Sequence, residues 1–155
     1  MDPIYYPPSS FYFRVLFQDL DGAGQSGEAS FKEVSGLEVS SSTETISEGG
    51  LLGYQHKLPG TYQYSNVTLK RGLLWESALM KWVEKAVKEF EFKPLTVQIE
   101  LLNPGSKPKS NPDPIKTWTL HNTWPVKWNL SNLDSLSNEV LIESLELSFS
   151  YMEAK

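Results

Sequence analysis

Two histidines, a few carboxylates, a glycine pair and a small basic group are the side chains of this sequence that could carry chemistry. His56 and His121 stand far apart and in no HExxH-type spacing, so each reads as a satisfied or exposed histidine rather than half of a metal pair. Glu44, Glu48, Asp113 and Asp134 have the right groups for acid–base work, but they lie in polar stretches where solvated carboxylates are expected. Gly49, Gly50 and Gly53 do not make a GxGxxG fingerprint, and no strand-to-helix context follows them. Lys57, Lys70 and Arg71 suit a salt bridge or a subunit contact better than a nucleic-acid site. The chain has no Cys, which excludes a thiol nucleophile, a zinc–thiolate site and a disulfide scaffold. No catalytic, cofactor-binding or metal-binding residue is assigned. The expectation is a protein that is not an enzyme, needs no cofactor, and works through its shape and its edges.

The elements that position these residues follow from composition and period. A chain of 155 residues is expected to form one domain with a real core. Its apolar share of 39% and charged share of 21% are those of an ordinary globular protein. A net charge of −5 argues against a phosphate-backbone partner. The start, Met1-Asp2-Pro3-Ile4-Tyr5-Tyr6-Pro7-Pro8, has no basic and apolar signal-peptide regions. No run reaches the roughly 18 apolar residues of a membrane span. Cytoplasmic assembly without a Sec-type signal, and no membrane insertion of its own, are therefore expected.

Residues 1–10 read as an extended Pro/Tyr arm and 11–155 as a single domain. Phe11 to Asp19 alternates, with Phe13, Val15 and Phe17 on one face. Ala29 to Leu37 reads as a strand bent at Gly36. Residues 38–48 read as a strand that is polar on both faces, and 49–60 as a long Gly-rich loop carrying Leu51, Leu52, Tyr54 and Leu58. Tyr62 to Lys70 reads as the next strand. The period then changes: Trp75, Ala78, Leu79, Trp82, Val83, Ala86, Val87 and Phe90 form one helical stripe, which predicts a helix over 74–91. Leu95 to Leu102 is a strand with Val97, Ile99 and Leu101 inward, and 103–116 an exposed loop. Thr117 to Trp128 points Trp118, Leu120, Trp124, Val126 and Trp128 one way, with Pro125 marking an edge, bulge or break. Val140 to Tyr151 is the last strand; Val140 and Ile142 are out of phase with its inward Leu141, Leu145 and Leu147, so a bulge near Glu143 or a strand covered on both faces at its start is expected. The fold class is mainly β: a barrel or sandwich of about six or seven antiparallel strands with one flanking amphipathic α-helix. Phe13, Val15, Leu69, Trp75, Leu79, Trp82, Val83, Trp118, Leu145 and Leu147 are the expected core.

Several segments, taken in order, carry a resemblance. They are Phe11-Tyr12-Phe13-Arg14-Val15, Phe31-Lys32-Glu33-Val34-Ser35-Gly36-Leu37, Glu48-Gly49-Gly50, Lys57-Leu58-Pro59-Gly60, Asn66-Val67-Thr68-Leu69-Lys70-Arg71-Gly72, Trp124-Pro125-Val126-Lys127-Trp128, and Asn138-Glu139-Val140 through Leu147. The chain resembles the tail-tube proteins of contractile phage tails and phage-tail-like contractile injection systems. The resemblance implies a fold related to the type VI secretion ring protein. It also implies homo-hexameric rings stacked into a hollow tube, which a contracting sheath drives through a target envelope. The implied partners are further copies of the chain, a sheath protein, baseplate or spike and tube-terminator proteins at the ends, and protein cargo in the lumen. The implied location is a virion or an extracellular or cell-associated contractile particle.

Under this resemblance Ser40, Ser42, Thr43, Glu44 and Thr45 line the channel. Glu48, Gly49, Gly50, Leu51, Leu52, Tyr54, His56, Lys57, Leu58 and Pro59 reach the next ring. Two other readings stay open: a baseplate-proximal tube-initiator paralogue, and a monomeric carbohydrate- or peptide-binding β-sandwich displaying its aromatics. The helical stripe yields a first expectation. Replacing Trp82 with Ala costs about 3–5 kcal/mol of stability, the usual loss for a buried aromatic, measurable by denaturant unfolding.

Overall fold

The computed structural model describes residues 12–21, 31–47, 49–50, 53–74, 77–103, 114–136 and 138–155. Within them the chain runs β1 (Phe13–Gln18), β2 (Glu33–Ser35), β3 (Val39–Ile46), β4 (His56–Tyr64), β5 (Val67–Gly72), α1 (Ala78–Lys88), β6 (Leu95–Leu102), β7 (Pro114–Leu130), β8 (Ile142–Ser148) and β9 (Tyr151–Ala154). The hydrogen-bonded order is β1-β6-β7-β8-β5-β2, with β9 also on β7, while β3 and β4 pair only with each other. Among the described residues the fold is thus mainly β with one helix. Trp75, Glu48, Leu51, Leu52 and Asp113, with the arm 1–10 and most of the loop 103–116, lie outside the described residues.

The long strand β7 organises the sheet. Its first half pairs β6 and its second half pairs β8, so one strand serves two parts of a bent sheet. The bend falls where Asn122 takes a left-handed φ of 53°, a conformation Asn tolerates better than most residues. Thr123, fully buried beside it, donates its hydroxyl to the Leu120 carbonyl at 3.3 Å. The register shifts again between Pro125 and Lys127, so the proline sits at a bulge, where its missing N–H costs the ladder least. The last strand is also broken: β8 and β9 flank Phe149 and Ser150, and both run antiparallel to β7.

Strict alternation decides which side chains of β5 and β8 go inside. β5 buries Val67, Leu69 and Arg71, and β8 buries Glu143, Leu145 and Leu147. The antiparallel register sets Val67 against Leu147, Leu69 against Leu145 and Arg71 against Glu143. Glu143 is therefore not a bulge, as the out-of-phase Val140 and Ile142 led one to expect. It belongs to the inward set, in contact with Arg71 Nε through its Oε1. Trp128 Nε1 donates to the other carboxylate oxygen at 3.2 Å, and Arg71 Nη2 donates to Ser77 Oγ at 2.6 Å. Ser77 is the N-cap of α1, where its hydroxyl accepts from Met80 N at 3.1 Å. The expected basic cluster does not exist: Arg71 is internal, Lys70 pairs with Glu33 across the strands at 2.9 Å, and Lys57 lies on β4.

α1 buries Leu79, Trp82, Val83 and Ala86 against the sheet, but Val87 and Phe90 are 68% and 81% exposed. The expected stripe thus fails at its C-terminal end. The helix stops at Lys88, and Phe90 turns away with a φ of 52°, so the last two stripe residues never face the sheet. Other expected inward residues also fall outside. Leu101 is only partly buried because β6 shifts register between Leu101 and Leu102, and it is Leu102 that is buried. Val126, Trp128 and Tyr151 are exposed, beyond the bend and the break in their strands. Val15, Leu69, Leu79, Trp82, Val83, Leu145 and Leu147 are buried, while Phe13 and Trp118 pack on the core partly exposed. Gly36 bends the chain at a φ of 88°, and a Cβ there would lie 2.2 Å from the Asn66 carbonyl oxygen.

A second clamp closes the helix end. Trp82 Nε1 donates to the Lys93 carbonyl at 2.9 Å, and Lys93 Nζ reaches the Asp19 carbonyl at 3.1 Å and Asp21 Oδ1 at 3.0 Å. The hydrogen bond and charge of Lys93 hold the Asp21 carboxyl below its ordinary value. A depressed folded-state value means that this stabilisation is present above the unfolded value and fades as pH falls through the folded one. Lys93→Met is expected to raise the Asp21 titration toward the ordinary carboxylate range, read by NMR titration; an unmoved titration would refute the clamp. For the core pair, Arg71→Met leaves Glu143 buried without its charge partner and is expected to cost about 3–5 kcal/mol in denaturant unfolding. The double change Arg71→Met, Glu143→Leu should recover most of that loss, because no charge then remains inside.

Candidate functional site

The β3–β4 ribbon is the part of the molecule least accounted for by its own fold. All eight residues of β3 are exposed, as are most of β4. Such a ribbon is marginal by itself, since a two-stranded hairpin lacks a buried face. Its pairing is regular at both ends: Val39 opposes Tyr64 and Ile46 opposes His56. Between them the register shifts near Ser42, and a Cβ on Gly60 would lie 2.2 Å from Ser42 Oγ, so the close approach requires glycine.

Alternation gives the ribbon two distinct faces. Val39, Ser41, Thr43 and Thr45 share one face with their partners Tyr64, Tyr62, Pro59 and Lys57. At its base Tyr64 packs against Phe149, with ring centroids 5.6 Å apart, so this face continues onto the core. The other face carries Ser40, Ser42, Glu44 and Ile46 with Gln63, Leu58 and His56. The five residues expected to line one channel wall therefore divide. Ser40, Ser42 and Glu44 share a face, and Thr43 and Thr45 point the other way.

The expected loop over 49–60 is likewise corrected. His56, Lys57, Leu58 and Pro59 are strand residues of β4, because each has a cross-strand partner on β3. Gly49, Gly50 and Tyr54 lie between the strands, with Tyr54 61% exposed and its ring edge-on to His56 at 5.3 Å. The sequence made the apolar residues of this segment visible, but not their pairing, since Pro59 and Gly60 read as a loop.

The residues with chemical potential are dispersed. His121 is on β7, stacked on Tyr151 at 4.4 Å with Glu153 Oε2 at 3.4 Å from its Nε2, whereas His56 is on the ribbon. Asp134 accepts from Leu136 N at 2.9 Å and so shapes its own loop. Among the described residues no group of three metal-binding side chains comes together, and no helix is long and apolar enough to cross a membrane. Exposed apolar side chains are the larger feature. Outside the ribbon they include Phe90, Phe92, Leu133, Leu136 and Val140. Reading by period took Phe90 as the tail of the helical stripe, Leu133 and Leu136 as ordinary loop, and Val140 as the start of the last strand.

Comparison with known proteins places this arrangement. A family model described as T4-like virus tail tube protein gp19 matches residues 9–153. A chain in the baseplate structure of the anti-feeding prophage is 27% identical, with a TM-score of 0.81 over 98% of this chain and 97% of that one. A chain of the extended sheath–tube complex of PVC, an extracellular contractile injection system, is 23% identical, with a TM-score of 0.78 over 98% and 93%. Hcp1 from Flavobacterium johnsoniae shares the fold at 16% identity, with a TM-score of 0.52 over 93% and 94%. No curated protein matches the sequence. The family match spans nearly the whole chain: the chain belongs to the T4-like virus tail tube protein gp19 family.

Proposed function

We propose that this protein is a structural wall subunit of the inner tube of a contractile injection system or phage tail. Copies close into sixfold rings, the rings stack into a hollow tube, and a sheath surrounds it, with baseplate or spike and terminator proteins at its ends. The observation that carries this reading is the β3–β4 ribbon, solvated on both faces in the single subunit. A ribbon of this kind becomes stable when neighbouring copies supply the missing pairing and packing. Its Ser40, Ser42, Glu44 and Gln63 face suits a wet lumen through which protein cargo passes, and its Thr43, Thr45 and Lys57 face lies toward the protein wall. The turn region around Gly49, Gly50 and Tyr54 reaches the adjacent ring. This reading gives the protein no catalytic role and no cofactor. Assembly takes place in the cytoplasm, and the finished tube belongs to a virion or an extracellular particle.

A second reading, a tube-initiating paralogue at the baseplate, draws on the 27% identity to a chain of a baseplate structure. Electron microscopy of the purified protein separates the two. A main tube subunit forms long tubes alone, an initiator stops at rings, and a strict monomer at high concentration overturns both. The ribbon carries its own test. Ile46 and His56 are cross-strand partners, so an Asn-Gly turn can replace residues 47–55 without disturbing the ribbon's register. That variant is expected to unfold at the same denaturant concentration as the parent and to form rings that do not stack. Normal tubes from it would sink the assignment of the turn to the ring–ring contact.

A further inference from the structure

Two features outside the ribbon fit one another. The first is a groove of about 340 Å³ beside α1, with Leu20, Trp82 and Leu95 among its lining and Lys81 and Lys85 along its helix wall. Neither lysine makes a close ion pair among the described residues, although the Lys85 charge acts on Asp21, and Lys93 is held by Asp21. The groove's own acids, Asp19, Asp21 and Glu91, come from the segments flanking the helix rather than from its wall. The second feature is the β7–β8 loop. Leu136 is 95% exposed, the most exposed of the large apolar side chains among the described residues, and Leu133 near it in sequence is 76% exposed. The loop is shaped in advance: Asp134 accepts from Leu136 N at 2.9 Å, and Ser131 and Ile142 close its base through bonds of 2.8 and 3.0 Å. Between residues 131 and 141 its only charges are Asp134 and Glu139, both acidic.

We propose that the Leu136 loop of one subunit seats in the Trp82 groove of a second copy, with Asp134 and Glu139 toward Lys81 and Lys85. A preformed apolar knob enters an apolar floor, and a purely acidic loop meets the basic helix wall. Knob and socket are different surfaces of the same chain, so the contact is head-to-tail. Such a contact propagates through copies and closes into a ring or extends along an axis, whereas a self-complementary patch stops at a dimer. The inference rests on the tube reading above, and it names a contact that the ribbon does not supply.

The chain has no Cys, so paired cysteines report the contact without background. Leu136→Cys and Lys85→Cys are made in separate chains, both at exposed positions, then mixed, assembled and oxidised. The expected result is a disulfide-linked dimer in the mixture and in neither single population. Tubes that form normally and yield no mixed dimer overturn this contact and leave the tube reading standing. A wild-type protein that forms neither rings nor tubes overturns both. A second measurement uses Leu136→Glu, which leaves the monomer folded. It is expected to raise the concentration needed for assembly by about tenfold or more, the effect of losing one buried leucine contact. An unchanged threshold overturns the proposal.

Discussion

The buried contact between Arg71 and Glu143 is the constraint on which the rest of the subunit depends. Taking two charges out of water costs several kcal/mol per ion before any attraction is counted. Here the cost is offset by use of both carboxylate oxygens, one by Arg71 and one by Trp128, and by a further guanidinium bond to Ser77. The guanidinium also lies 5.4 Å from the centre of the Phe31 ring. One charge pair thus joins β5, β8, the far half of β7, the segment before β2 and the N-cap of the helix. A one-residue slip between β5 and β8 would turn one of the charges outward and leave the other unpaired in the core. The pair therefore penalises wrong registers more than it adds net stability.

With that register set, the other anomalies become consistent. β7 can leave one part of the sheet and enter the other because Asn122 accepts a left-handed turn and Pro125 occupies a bulge. The helix sits where Ser77 is held by Arg71, and its far end is tied by Trp82 and Lys93. What remains is a ribbon connected to the core at its base through Tyr64 and Phe149 and free along most of its length. A monomer gains little from such an appendage, whereas a closed array of copies gains a continuous wall.

Much of this was legible in the sequence, and the misses have physical causes. The alternation in Phe13–Phe17 and the helical stripe of Leu79, Trp82, Val83 and Ala86 were readable because burial on one face imposes a period. The polar run of β3 was readable as a strand without a core on either side. Val87 and Phe90 were misplaced because the stripe continues past the point where the helix turns away. His56 to Pro59 read as loop because proline and glycine normally interrupt strands, yet pairing with β3 overrides that preference. A bulge was expected near Glu143 because the apolar Val140 and Ile142 fall out of phase with Leu141, Leu145 and Leu147, and the charge that keeps that phase is explained only by its partner across the sheet.

Local patterns in the chain were enough to settle the class of fold, the strand that has no core on either side and must be solvated or line something wet, and the lack of any spaced catalytic constellation in the sequence. Period, composition and turn chemistry are local, and these conclusions need nothing else. The tertiary structure alone decided that Arg71 and Glu143 face each other. It also decided that β3 residues divide between two faces with Thr43 and Thr45 opposite Ser40, Ser42 and Glu44, and that Leu136 and the Trp82 groove lie on the surface of the described residues. Those facts depend on register, on bends and on surfaces assembled from distant segments, which no local pattern specifies.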